Sequence, residues 1–494
     1  MRSFVIEFIL TVCLSACFIS CKKDKLLTDA SATVNFSQDS ILFDTVFTTI
    51  GSATRNFRII NNHKQKIKLS SIRLELGSSS PFFLNVDGTP GREVNDVEIL
   101  ANDSIYVFVQ VNVNPTSALS PLIIQDKIIV EVNGNQQSVA LEAWGQDAHY
   151  HYPNQAIQYK NGYLPYSTLS SNTNTTMVWG GGALGQPDDD KPHVIYGWLV
   201  VDSAQKLIIN PGVKVYFHQN AGLWVYRYGT LHVNGTYGNE VIFQGDRREA
   251  DYLDMPGQWD RIWINEGSTD NKINYAIIKN SFIGIQASIL LNPNQPSRLK
   301  LTNTIIRNCS KWGLYTQAYN LWAANNVVAN CKEYCAAITL GGNCTLLHNT
   351  FANYYTQDGG RADQASFYLG NYDGTDAWPD SFYIANTIID GSRGNEFETD
   401  IHYYSGYHTV KINNNYINGS IPTTTLITAN ANVTSGSINF DSPSNYSFKL
   451  TTGSAAIGIG DVNIPTVSGY PICIPDIQGV TRTGTISAGA YHFQ

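Results

Sequence analysis

The chain has 494 residues, a formal net charge of −8 and only 15% charged side chains, with abundant Gly (40) and Tyr (28) and scarce Met (3). That balance suits a β-rich extracellular protein with many tight turns, and a mildly acidic chain without basic clusters argues against nucleic acid as a partner. The length exceeds what one compact core fills and requires two or three domains.

Arg2 opens a short positive region, and Phe4 to Ser20 is a mostly apolar stretch broken by Glu7. It is too short for a comfortable membrane span and sits where an export signal sits. Residues 1–20 therefore read as a lipoprotein signal peptide. Cys21 ends the apolar run and precedes the polar tether Lys22-Lys23-Asp24, so it is the preferred lipidation site. Cys17, after the small residues Ser15-Ala16, is the alternative. The expected location is the outer membrane, lipid-anchored and facing the cell exterior, with the membrane engaged through the anchor.

Residues 21–148 form the tether and an expected β-sandwich. Runs such as Phe57-Arg58-Ile59-Ile60, Tyr106-Val107-Phe108-Val109-Gln110-Val111 and Ile128-Ile129-Val130-Glu131-Val132 are β-rich and several alternate. Turn formers (Asn61-Asn62, Asp87-Gly88, Asn133-Gly134) separate them, a spacing that indicates an immunoglobulin-like module. Residues 149–192 are polar and Gly-containing, and read as a connector or N-terminal cap.

From 193 to 425 the chain is repetitive. Asn303-Thr304-Ile305-Ile306-Arg307-Asn308 recurs from Asn325, His348, Asn386 and Asn414, in steps of 22, 23, 38 and 28 residues. A minimum near 22 with variable excess is the mark of a solenoid whose coils carry loop insertions. Asn suits the ends of such strands because its short amide bonds across turns. Cys309 and Cys331 follow the last Asn of successive repeats, which puts them one strand spacing apart. Either a disulfide or a buried thiol ladder fits.

Residues 426–494 carry Gly453-Ser454-Ala455-Ala456-Ile457, Asp476-Ile477-Gln478-Gly479-Val480-Thr481-Arg482 and Gly489-Ala490-Tyr491. With Leu207 to Phe217, Gly229 to Thr236 and Pro256-Gly257-Gln258-Trp259, these resemble a largely uncharacterised family of right-handed parallel β-helix surface lipoproteins. The resemblance spans nearly the whole chain after the signal. It implies an all-β protein: an N-terminal immunoglobulin-like β-sandwich, then a right-handed parallel β-helix related to pectate lyases, then a C-terminal coil and cap.

Such a fold hosts lyases, hydrolases and adhesins alike, so function must come from the site. The Asn-Thr-Asp and Gly-His-Gly signatures of polygalacturonase-like enzymes are missing. Asp373, Asp376 and Arg361 are the catalytic candidates, all assigned to one insertion over 354–380. The same region gathers aromatic faces and hydrogen-bonding groups: Tyr354, Tyr355, Tyr372, Trp378, His402, Tyr403, Tyr404 and Tyr407. These are the expected ligand-binding residues, because rings with polar edges suit sugars and protein hot spots. No cofactor or metal is expected. Asp188-Asp189-Asp190 is a poor Ca²⁺ cage, since consecutive carboxylates diverge, and His149-x-His151 with Asp147 lacks a fourth ligand. The resulting expectation is a non-enzymatic protein that binds a polysaccharide or a surface-protein partner. The alternatives are a polysaccharide lyase or glycoside hydrolase, and a scaffold subunit of an outer-membrane complex.

Overall fold

In the computed structural model, residues 25–47, 51–113, 122–159, 162–181, 191–292, 294–464 and 475–494 are described. Cys17, Cys21, Asp188-Asp189-Asp190 and Cys473 lie outside the described residues. The chain is all-β, 2% helical and 52% strand, and divides into two units, Met1–Asp147 and Ala148–Gln494.

In the first unit, period-two alternation gives strands with one buried face: Ile105, Val107, Val109 and Val111 point inward while Tyr106 and Phe108 stay exposed. Two five-stranded sheets result. Neighbours are antiparallel except Ser40–Phe47, which runs parallel to Asn135–Gln146. Both sheets contribute to a single core, where the Phe43 and Phe82 rings meet at 5.8 Å. Asn61, fully buried, donates its amide to the carbonyls of Gln65, Ile99 and Leu100, so a polar side chain inside this unit is satisfied.

The second unit is a coiled stack of three ten-stranded sheets, consistent with a β-helix or solenoid. Face one runs from His149–His151 to Tyr416–Ile417, face two from Gln155–Tyr159 to Phe397–Asp400, and face three from Thr176–Trp179 to Ile427–Asn430. Neighbouring strands are parallel, apart from the antiparallel hairpin Gln155–Tyr159 with Gly162–Thr168 at one edge of face two. Interior side chains stack in register, for example Ile306, Val328, Phe351, Ile389 and Ile417 on face one. Full burial of each contributes about 1.5–3 kcal/mol.

The repeated asparagines make the corners. Asn303, Asn325, His348, Asn386 and Asn414 adopt φ between 50° and 56°, a left-handed turn from face three into face one. The next residue points inward and forms a ladder. Asn349 Oδ1 accepts the N–H of Asn326 (3.1 Å) and its amide (2.9 Å), and Asn432 Oδ1 does the same for Asn415 (3.0 and 2.9 Å). Asn280, Asn308 and Asn330 turn the chain from face one into face two with the same left-handed φ (64°, 59°, 52°).

Two boundaries differ from the sequence reading. The solenoid starts at 149, because residues 149–179 supply the first strand of every face. A terminal rung has a neighbour on one side only, and Gln155–Tyr159 is exposed along its whole length, so its apolar pattern is weak. The C-terminal segment, expected as a cap on the coil end, runs back along the outside of face one. There Phe448, Ile477 and Ala490 cover Val327, Ala329 and Ala352, while Leu450, Ala456 and Ala488 cover Ile388 and Tyr416. Its Asp-x-x-Gly-x-x-Arg motif is a folding device. Asp476 Oδ1 accepts the N–H groups of Gln478 and Val480 (2.8 Å each), and Arg482 donates to the carbonyls of Pro475, Gly489 and Ala490 (3.0–3.1 Å).

Replacing Asn349 by Ala strips two donors of their acceptor in a fully buried ladder, so the solenoid should lose about 3 kcal/mol. Asn343→Ala, on an exposed side chain of the adjacent strand Gly342–Leu347, should stay within about 0.5 kcal/mol of the parent. Urea titration followed by circular dichroism checks this, and equal midpoints for both variants would refute the structural role.

Candidate functional site

The expected insertion over 354–380 is two insertions, on different corners. Phe367–Gly370, a strand of face two, separates a loop at 354–366 from a loop at 371–379. The sequence hides this because a four-residue strand inside a long step carries little pattern.

The first loop is structural. Tyr355 is 3% exposed. Tyr354 packs against Phe440 (6.4 Å) and donates its hydroxyl to the Asp390 carboxylate. Arg361 and Glu396 form a buried two-pronged ion pair, with side-chain exposures of 4% and 0%. Glu396 also accepts the Ser366 N–H and hydroxyl (2.8 Å each) and the Arg393 N–H (2.7 Å). Tyr354, Tyr355 and Arg361, read in the sequence as ligand-binding and catalytic candidates, thus hold this corner together.

The second loop builds a groove. Asp373 folds it by accepting the N–H groups of Thr375 and Asp376 (2.8 Å each) through one oxygen and the Trp378 indole N–H (3.0 Å) through the other. These bonds, the Asp376 N–H foremost, hold the Asp373 carboxyl below its ordinary pKa. Asp373, a catalytic candidate in the sequence, thus fixes Trp378 and the fold of this loop. The buried Asn371 ties this loop to the next coil, donating to the carbonyls of His402 (2.9 Å) and Trp378 (3.2 Å) and accepting the His402 N–H (2.8 Å). Tyr372 stacks on His402 at 3.9 Å and 15°.

Trp378, Tyr404, Tyr407 and Asp376 line one groove of about 540 Å³, whose wall also includes Asn320 and Asn343. Gly406 leaves room for the Tyr404 ring, which a Cβ there would meet at 2.4 Å. Tyr403 is 72% exposed but does not line the groove. Asp380 is a buried strand residue at the groove wall. Its Oδ1 lies 2.6 Å from His408 Nδ1. Burial raises its pKa, against the lowering by His408.

Face two carries a tryptophan cluster that sequence reasoning missed: Trp224 and Trp263 stack at 4.9 Å, with Trp198 edge-on to both. Trp224 and Trp263 are register partners, while Trp198 pairs with Gly222, so only two of the three tryptophans share a coil position. Two of its indole N–H groups are already used, Trp224 by Asn265 (2.6 Å) and Trp263 by Ser288 (3.0 Å). Cys309 and Cys331 are register partners and both are free, buried thiols, so the structure has the thiol ladder rather than the disulfide.

His149 and His151 meet a third histidine, His193. His151 and His193 approach at 3.0 Å between ring nitrogens, and Trp179 stacks on His193 at 3.8 Å. This is a ring stack; among the described residues no three His, Cys, Asp or Glu side chains are arranged to hold a metal.

No protein-family model and no curated protein matches the chain. Among solved structures, the PapD-like domain 7 of human CEP192 aligns at 11% identity and TM-score 0.18, over 26% of this chain and 97% of that one. A family 123 glycoside hydrolase from Clostridium perfringens aligns at 12% identity and TM-score 0.17, over 28% of this chain and 25% of that one. At such scores neither likeness bears on fold or function.

Arg361→Ala leaves Glu396 charged and buried without its partner, which should cost about 3–5 kcal/mol. A thermal melt indistinguishable from the parent would overturn the structural assignment. The histidine stack sets a pH dependence. Burial holds His151 down at about 4 in the fold, against 6.5 when exposed. The unfolded chain therefore binds the extra proton first as pH falls. The contribution is complete above pH 6.5 and is lost down to about pH 4, at roughly 1.4 kcal/mol per pH unit. Denaturant midpoints for the solenoid across this range should fall with pH, and His151→Leu should flatten the profile; an unchanged slope counts against it.

Proposed function

We propose that this chain is a lipid-anchored surface protein that binds glycans without transforming them. The finer architecture belongs to the same reading: a right-handed parallel β-helix behind an immunoglobulin-like domain, carried on the outer membrane by Cys21 or, alternatively, Cys17. The observation that carries the binding assignment is the groove where Trp378, Tyr404 and Tyr407 converge beside Asp376 and three asparagines, Asn294, Asn320 and Asn343. Aromatic faces pack against the apolar sides of a pyranose ring, and amides and a carboxylate address its hydroxyls. The groove wall is also pre-ordered, because Asp373 and Asn371 fix the loop without a ligand.

A hydrolase reading has one observation in its favour. An exposed carboxylate, Asp376, and a buried one, Asp380, line the same groove, the division of environments that separates the two carboxyl groups of a glycosidase.

Glycan-array binding of the purified protein tests both. Each aromatic contact is worth on the order of 1–2 kcal/mol, so Trp378→Ala and Tyr404→Ala should each weaken binding about tenfold while circular dichroism is unchanged. Undiminished binding in both variants would move the site elsewhere. Release of reducing sugar from a bound glycan, abolished in Asp380→Asn, would replace the binding reading with the hydrolase.

A further inference from the structure

We propose that the aromatic groove takes an uncharged polysaccharide lying along the solenoid axis, and that Asp376 is the residue that turns acidic chains away. The inference rests on the glycan-binding reading of this groove and adds to it the class and the direction of the ligand.

The first observation is a row of hydrogen-bonding side chains on successive coils. Leu321, Cys344 and Phe382 stack in the core on three neighbouring strands of face three. The residue before each, Asn320, Asn343 and Ser381, points outward by the alternation of the strand, and all three line the groove. Asn320 Oδ1 accepts the Asn343 N–H at 3.0 Å, which orients its amide. The amide hydrogens of Asn320, the Asn343 side chain and the Ser381 hydroxyl have no partner among the described residues. Adjacent strands lie about 4.8 Å apart, close to the rise of one sugar residue in an extended chain. A polymer running along the row therefore meets one polar group per sugar, while the rings of Trp378, Tyr404 and Tyr407 line the same groove from the loops of two adjacent coils.

The second observation is the sign of the charge. Among the described residues that line the groove there is no Lys, Arg or His, and the charged ones are two carboxylates, Asp376 and Asp380. Asp380 is buried and bonded to His408 Nδ1, so its charge is met inside the wall. Asp376 is exposed, and no cation among the described residues pairs with it. A uronate or sulfate laid along the row would give up water without gaining a cation and would face the Asp376 carboxylate. Specificity is a difference of affinities, and a repulsive group sets it as well as an attractive one.

The third observation is what repeats and what does not. Amide, amide and hydroxyl recur from rung to rung, and they match sugar hydroxyls, which every residue of a polysaccharide carries. The free carboxylate does not recur: Asp376 serves one ammonium at most, so a polycation with a charge on each sugar gains little from it. Arg298 occupies the next position of the row, in register with Asn320. It does not line the groove and has an interaction of its own, so it supplies no cation there.

The test is affinity electrophoresis of the full chain. Hydroxyethyl cellulose, galactomannan and arabinoxylan serve as uncharged polymers, carboxymethyl cellulose and polygalacturonate as acidic ones, and chitosan as the cationic one. The parent should bind at least one uncharged polymer about tenfold more tightly than any charged one, and Trp378→Ala should weaken that binding. Asp376→Lys should lower the ratio of neutral to acidic affinity about tenfold, and Asp376→Asn should shift it the same way by less. Asn343→Ala and Ser381→Ala, on adjacent rungs, should each weaken the uncharged polymer about threefold with circular dichroism unchanged. Trp378-dependent binding of an acidic polymer or of chitosan as tight as that of the best uncharged one overturns this inference and leaves the glycan-binding reading standing. An unaltered ratio in Asp376→Lys, or undiminished binding in either rung variant, does the same. Absence of binding to every polymer, or binding indifferent to Trp378→Ala, overturns both.

Discussion

A chain that coils into three parallel sheets must turn sharply three times per coil without stranding polar backbone inside. At the corner between face three and face one this is solved by a pair of residues. The first takes a left-handed φ, which asparagine tolerates better than most residues. The second turns its amide into the interior, where the Asn326–Asn349 and Asn415–Asn432 contacts satisfy backbone donors and side chain together. An interior of low dielectric makes such bonds strong when complete and costly when broken, so this corner admits little change. Where Thr387 enters the ladder, its hydroxyl accepts the Asn349 N–H at 3.3 Å and its own N–H donates to Asn415 at 2.8 Å, so the chain of bonds continues.

That rigidity sets where the solenoid can vary. The invariant corner also carries the C-terminal segment: Asn325, Asn386 and Asn414 donate their amides outward to the carbonyls of Pro475, Asp461 and Ile459. The first residue of each pair thus fastens the flank while the second orders the interior. From the strand Asn271–Asn274 onward, insertions fall at the other corners, where no continuous ladder constrains chain length. One of them is closed by Arg361 and Glu396 into a solid wedge. The other is folded by Asp373 and opens into the aromatic groove.

Much of this was legible in the sequence because the corner pattern is local: Asn-Asn or Asn-Thr before a short apolar strand, four times over and once as His348-Asn349, marks the coils directly. The groove was half legible. Trp378, Tyr404, Tyr407 and Asp376 do converge, since they lie on loops at the same corner of adjacent coils. Tyr354, Tyr355 and Arg361 share their sequence neighbourhood but sit across a strand from them, on a different corner. Composition cannot separate the two groups, because a tyrosine that packs under a C-terminal segment and one that lines a groove have the same chemistry. The polar row along the groove was invisible for a related reason. Asn320, Asn343 and Ser381 are far apart in sequence and acquire a common direction only through strand register.

The placement of the C-terminal segment decides which surfaces can meet a long ligand. Over the coils from 327 to 416 its apolar side chains lie on the outside of face one and bury Val327, Ala352, Ile388 and Tyr416, so a polymer cannot lie there without stripping off a packed layer. The aromatic groove lies away from that covering, at the corner between faces two and three. It offers rings and amides on a wall fixed by an internal hydrogen-bond network. A rigid, parallel stack keeps the rung spacing constant along its length, which is a property that a repeating polymer can use and a compact globular surface does not supply.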